Sequence, residues 1–206
     1  MYLRFWICLI TCFLLSTTAW ASQLSGQCQI RFFGDSTLHG FEGQATCEPF
    51  DWLIEDESDS GKLIVRGAVI KVPVATMDTA NKKRDKKMYQ MFSVNDFPLI
   101  EGQFDNFDPR QLLQQLRDGN EVDAHFPFKL KIHGVTRSVD ATIREFKETP
   151  EEITLVADLS VSLKDFGLKA PGVFGIIRVA DEVRVEIEVV LFDAVTLLTD
   201  TVSDTK

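Results

Sequence analysis

Val122-Asp123-Ala124-His125-Phe126-Pro127-Phe128-Lys129-Leu130-Lys131-Ile132-His133, inside residues 121–145, is the stretch on which the fold turns. Val122, Ala124, Phe126, Phe128, Leu130 and Ile132 are apolar, and the residues between them are mostly polar. That is strand periodicity, with one dry face and one wet face. Gly134-Val135-Thr136-Arg137 interrupts the pattern, and Val139, Ala141 and Ile143 resume it against Ser138, Asp140, Thr142 and Arg144. The stretch therefore predicts a long antiparallel hairpin. Two strands alone are marginal in water, so more strands of the same kind must complete the apolar face. Pro127 cannot donate to a ladder and is expected at a bulge or an unpaired edge.

Those further strands can be found on both sides of the hairpin. Residues 27–33 and 41–47 read as a pair joined by Gly34-Asp35-Ser36-Thr37-Leu38-His39-Gly40. Residues 62–74 form a β-branched run expected to bend or bulge near Gly67. In residues 99–107, Ile100, Gly102 and Phe104 share one side. Ile153, Leu155, Ala157, Leu159, Val161 and Leu163 alternate with mostly polar neighbours, as do Val183, Val185, Ile187, Val189 and Leu191. Residues 80–92 lack Gly and Pro and set Met88, Met91 and Phe92 at helical spacing, which predicts a short helix capped by Asp78 or Thr79. Pro109 starts one or two further helical turns with Leu112, Leu113 and Leu116 on one side. Residues 55–61 are acidic, and a solvated loop is expected there.

The fold class is thus all-β: an antiparallel barrel of about eight strands with a short inserted helix, a closure that leaves no bare edge. An interior of that size is either filled by its own side chains or able to hold one small ligand. The inward residues singled out are Phe126, Phe128, Leu130, Ile132, Leu155, Leu159, Val185 and Ile187, which serve equally as core or as the wall of an apolar tunnel.

At the N-terminus, Arg4 precedes an apolar run, residues 5–15, that is followed by Ala19-Trp20-Ala21. This is the pattern of a secretory signal peptide cleaved after Ala21, and the run is shorter than a spanning helix needs. The expected organisation is a signal at 1–21, one barrel domain at 22–193 and a polar tail at 194–206, with no membrane span once the signal is gone. Loss of Arg4 takes the formal net charge from −9 to −10, which argues against nucleic acid as a partner. Cys8 and Cys12 leave with the signal. Cys28 and Cys47 then reach an oxidising compartment, periplasmic or secreted, where they either pair across neighbouring strands or remain two buried thiols.

Little in the chain suggests catalysis. His39, His125 and His133 are the only histidines, and no two share one element at metal-ligand spacing. No Ser-His-Asp or Cys-His nucleophile signature stands out, and neither catalytic residues, metal nor cofactor is expected. Lys164 and Asp165 are read as a turn or barrel-closing pair. Lys82, Lys83, Arg84, Lys86 and Lys87 form a basic helix side that either greets an anionic head group or is simply solvated.

Several pieces in order resemble the YceI-like family: Met77-Asp78-Thr79, then Lys83-Arg84-Asp85-Lys86-Lys87-Met88, Asp96-Phe97-Pro98-Leu99-Ile100, Leu130-Lys131-Ile132-His133-Gly134-Val135-Thr136-Arg137-Ser138-Val139, Val161-Ser162-Leu163-Lys164-Asp165-Phe166-Gly167 and Asp181-Glu182-Val183. The resemblance spans about residues 27–192. It implies a lipocalin-like barrel with a lengthwise apolar tunnel for a long polyisoprenoid chain, in an exported protein without catalytic residues. The acidic loop, the Cys28/Cys47 pair and residues 171–177 depart from the family pattern at the tunnel mouth. The expected function is a carrier or reservoir for an isoprenoid lipid or isoprenoid quinone. The alternative is a structural or partner-docking exported protein with a filled barrel. Oligomeric state is left open by the sequence.

Overall fold

The computed structural model describes residues 22–57, 62–118, 124–173 and 177–194. The expected signal peptide at 1–21 and nearly all of the polar tail lie outside the described residues. Among the described residues eleven strands form: β1 (Ser22–Ser36), β2 (Phe41–Thr46), β3 (Phe50–Glu57), β4 (Lys62–Val65), β5 (Val69–Pro73), β6 (Leu99–Gln103), β7 (Ala124–Ile132), β8 (Val135–Glu148), β9 (Glu152–Ser162), β10 (Gly172–Val173) and β11 (Ile177–Phe192). Helices α1 (Lys82–Met91) and α2 (Pro109–Asp118) sit before β6 and after it. All pairings are antiparallel, and the strands follow the order β4-β3-β1-β11-β9-β8-β7-β6-β5 in one strongly curled sheet.

The number of strands exceeds the expected eight or so for local reasons. The two halves of β1 take different partners: Ser22 to Gly26 pair with β3, and Gln29 to Gly34 with β2. Pro49, between β2 and β3, has no N–H with which to continue a ladder. The run at 62–74 is broken into β4 and β5 at Gly67, whose φ of +58° suits glycine. The acidic loop begins later than expected, because residues 55–57 belong to β3 and pair with β4. Their ladder needs only backbone atoms, and the exposed Glu55 carboxylate accepts from Arg66. Residues 58–61 lie outside the described residues.

The hairpin that organises the chain is tighter than the pattern suggests. Ile132 pairs with Val135, leaving His133 (φ +50°) and Gly134 (φ +75°) as a two-residue turn. Positive φ at both positions is the geometry whose twist matches paired strands. Pro127 faces Asp140 of β8, whereas β6 pairs with β7 only from Lys129 to Lys131. The proline thus occupies a part of β7 bonded on one side alone, as its missing donor requires.

The margins of the sheet meet through isolated bonds. The backbones of Gln44 and Asp78 exchange two hydrogen bonds of 2.8 Å, and Glu48 donates to the Lys71 carbonyl at 2.8 Å. Val65 and Phe107 form a further isolated bridge.

Capping of α1 corrects the sequence expectation. Asn81 is the N-cap, accepting from the amides of Lys83 and Arg84, while Asp78 accepts from Ala80. Thr79 instead turns inward, where its amide (3.0 Å) and its hydroxyl both donate to Asp85. Both residues are buried, so this carboxylate anchors the helix to the wall. Asp85→Ala leaves two buried donors without an acceptor and is expected to cost about 2–3 kcal/mol, read as a lowered urea midpoint. Asp85→Asn keeps one acceptor oxygen and should lose less.

Candidate functional site

Alternation sends one side chain in two towards the axis of the curl, and the inward sets of the strands enclose an elongated cavity of about 300 Å³. All eight residues singled out from the sequence line it: Phe126, Phe128, Leu130 and Ile132 from β7, Leu155 and Leu159 from β9, Val185 and Ile187 from β11. Along β11 the lining runs from Val179 to Leu191, a path of roughly 40 Å at the usual rise per strand residue.

Whether the axis is filled is decided by how these side chains pack. Leu155, Ala157, Val183, Val185, Ile187 and Val189 point inward yet stay only partly buried, unlike Leu159 and Leu191 at 7% exposure each. Inward apolar atoms that keep solvent contact face empty room rather than one another. Small residues create that room. Ala157 lies between Ile143 of β8 and Ile187 of β11, and Ala45, Ala141 and Gly102 lie elsewhere along the wall.

The two ends of the cavity differ in chemistry. At one end Trp52 stacks on Phe50 with ring centroids 4.6 Å apart, Phe104 lies 5.2 Å from Phe128, and Phe107 meets Phe126 edge-on at 5.5 Å. The Trp52 indole donates to the Val69 carbonyl, which leaves its apolar face for the lumen. Pro109, Leu112 and Leu113 of α2 contribute to the lining. At the other end α1 lays Met88, Met91 and Phe92 over the opening beside Phe41.

Arg84 is the one ionisable side chain among the described lining residues. Its guanidinium donates to the Thr79 hydroxyl and carbonyl, both at 2.9 Å, and sits 4.8 Å above the Phe41 ring. From charge alone Arg84 reads only as part of a basic helix side. Its spacing to Met88 and Met91, i, i+4 and i+7, already puts it on the lining face. Trp52 and Phe107 were also missed as wall residues, Trp52 because the strand carrying it ends in acidic residues.

Polar groups cluster on the outer face. Lys131 donates to Glu101 at 3.0 Å and holds that carboxyl below the usual carboxylate range, and Arg117 does the same for Glu148. Asp181 is likewise lowered, first by the Ser162 hydroxyl at 2.7 Å and also by the Lys164 amide. Lys164 and Asp165 lie in a single 3-10 turn, Leu163–Phe166, directly after β9, and the Lys164 ammonium lies 3.8 Å from Asp181. His39 and His125 are exposed, and His133 packs on Phe97. Cys28 and Cys47 form a disulfide with Cα atoms 5.4 Å apart, continuing the β1–β2 register by one pair. No helix among the described residues is long and apolar enough to cross a membrane.

A curled antiparallel sheet around an apolar lumen, with helices against its openings, is a lipocalin-like architecture. A YceI-like domain model matches residues 21–191, and the chain belongs to that family. Solved structures that share the fold include the following two. Burkholderia cenocepacia BcnA is 15% identical, with a TM-score of 0.54 over 79% of this chain and 95% of its own. A polyisoprenoid binding domain from Saccharophagus degradans, implicated in plant cell wall breakdown, is 10% identical, with a TM-score of 0.53 over 84% of this chain and 98% of its own. A search of curated proteins returns no match to this chain.

Proposed function

We propose that this protein holds a long apolar chain, a polyisoprenoid or an isoprenoid quinone, within the lumen and serves as its carrier or reservoir in the periplasm or another oxidising compartment outside the cytoplasm. The observation that carries the reading is the set of inward residues on β9 and β11 that face open space in a lumen with almost no polar group. Affinity then comes from area. Each CH₂ removed from water contributes about 0.8 kcal/mol, so a long chain needs few directed contacts. Phe126, Phe128, Leu130, Ile132, Leu155, Leu159, Val185 and Ile187 are the residues assigned to contact it. The Saccharophagus degradans domain, described as binding polyisoprenoid, supports this ligand class, and the disulfide supports the compartment. The role is one of binding, without chemical turnover.

Organic extraction of the purified protein followed by mass spectrometry tests the proposal. A long-chain isoprenoid is expected in the extract. Its absence, together with failure of the stripped protein to take up such a lipid, would overturn the reading.

A further inference from the structure

Basic side chains of the barrel wall and of α2 are mostly neutralised where they stand. Arg31 pairs with Glu186, Arg117 with Glu148, Lys129 with Asp105, Lys131 with Glu101, and Arg144 with Asp158. Helix α1 breaks this pattern. Lys82, Lys83, Lys86 and Lys87 are exposed, and none of them makes an ion pair with a described residue. At 3.6 residues per turn they occupy one side of the helix, opposite the side on which Arg84, Met88 and Met91 meet the lumen. Four unneutralised ammonium groups are thus concentrated on the outer face of the helix that covers one opening, in a chain of net charge −9.

An exposed apolar side chain stands at the same end. The turn between β1 and β2 carries Leu38, 66% exposed, three residues before the Phe41 ring on which Arg84 rests. A cationic helix face and a protruding leucine at one end of the molecule suit a surface that is anionic outside and apolar just beneath.

We infer that this end of the protein docks on an anionic phospholipid bilayer through Lys82, Lys83, Lys86, Lys87 and Leu38, presenting the lumen opening to the membrane. The inference rests on the carrier reading for its purpose, because an apolar chain must pass between lumen and bilayer without crossing much water. An acidic protein partner would match the lysines but gives no use to Leu38 or to the adjacent opening. Each lysine near an anionic surface strengthens binding about fivefold, so together they should contribute on the order of several hundredfold at low salt.

Vesicle flotation of the purified protein tests this apart from lipid carriage. Wild-type protein should float with vesicles containing phosphatidylglycerol, far less with phosphatidylcholine alone, and lose binding as salt is raised. The combined variant K82Q/K83Q/K86Q/K87Q should lose nearly all of the binding while keeping its circular dichroism spectrum and extractable lipid. L38S should weaken binding more modestly, and K147Q, on the barrel wall, should leave it unchanged. Equal flotation of wild type and the lysine variant would overturn the inference. So would binding of wild type to polyglutamate beads with none to anionic vesicles, which would assign the face to an acidic protein. Failure of the wild-type protein to float with anionic vesicles, while lipid is still extracted from it, removes the docking proposal and leaves the carrier reading standing.

Discussion

Ala157→Trp should fold into the same barrel and carry no lipid. Ala157 is on β9 between Ile143 and Ile187, and its methyl group faces the lumen while only partly buried. An indole placed there grows into open space instead of a packed core, so the stability cost stays at about 1 kcal/mol, the low end for added bulk. The same indole occupies room the chain would use. Displacing about four CH₂ groups removes roughly 3 kcal/mol of binding, about two orders of magnitude in affinity. Val156→Trp, one residue away and pointing outward, is the matched control. Lipid recovered on extraction and the urea midpoint, measured for both variants, separate the outcomes. A stable Ala157→Trp protein with its full lipid load would mean that the chain does not lie in this lumen.

Removing the disulfide, as Cys28→Ala with Cys47→Ala, should lower stability by about 3 kcal/mol, the loop-closure value for roughly 20 enclosed residues. Its position gives the bond a structural purpose. Cys28 lies where β1 changes partners, between the part bonded to β3 and the part bonded to β2, and Cys47 follows the end of β2. The β11 ladder runs past this point on the other edge of β1, but on this edge no ladder continues from β3 to β2, so the covalent tie holds the split together. The urea midpoint of the double variant against the oxidised wild type measures the loss. A midpoint within error of wild type would show that the split pairing sustains itself.

Alternation of polar and apolar residues made the wall legible before the structure was known. It identified the hairpin of β7 and β8, the inward faces of β9 and β11, and the eight residues that line the lumen. What it conveys is which side of a strand faces in, not how far away the opposite wall stands. That distance depends on curl and on small residues such as Ala157 and Gly102, so the choice between packed core and cavity was not available from the pattern. Local polarity also misled at β3. Residues 55–57 look like a solvated loop because their charge is visible, whereas the backbone ladder to Lys62 and Ile64 is not. At α1 the capping went to Asn81 because Thr79 was engaged by Asp85, a tertiary contact six residues away. The Phe97 ring, 2.9 Å from where a Cβ on Gly134 would sit, is another constraint that spacing alone could not reveal.

The isolated bonds joining the sheet margins have a consequence for how the wall fails. Between neighbouring strands of the wall the registers run as long as eleven residue pairs, as between β9 and β11. Along the Gln44–Asp78 and Glu48–Lys71 line there are only isolated bonds in place of a ladder, so opening is expected to begin there, and the molecule unrolls like a scroll whose clasp gives way before its paper tears.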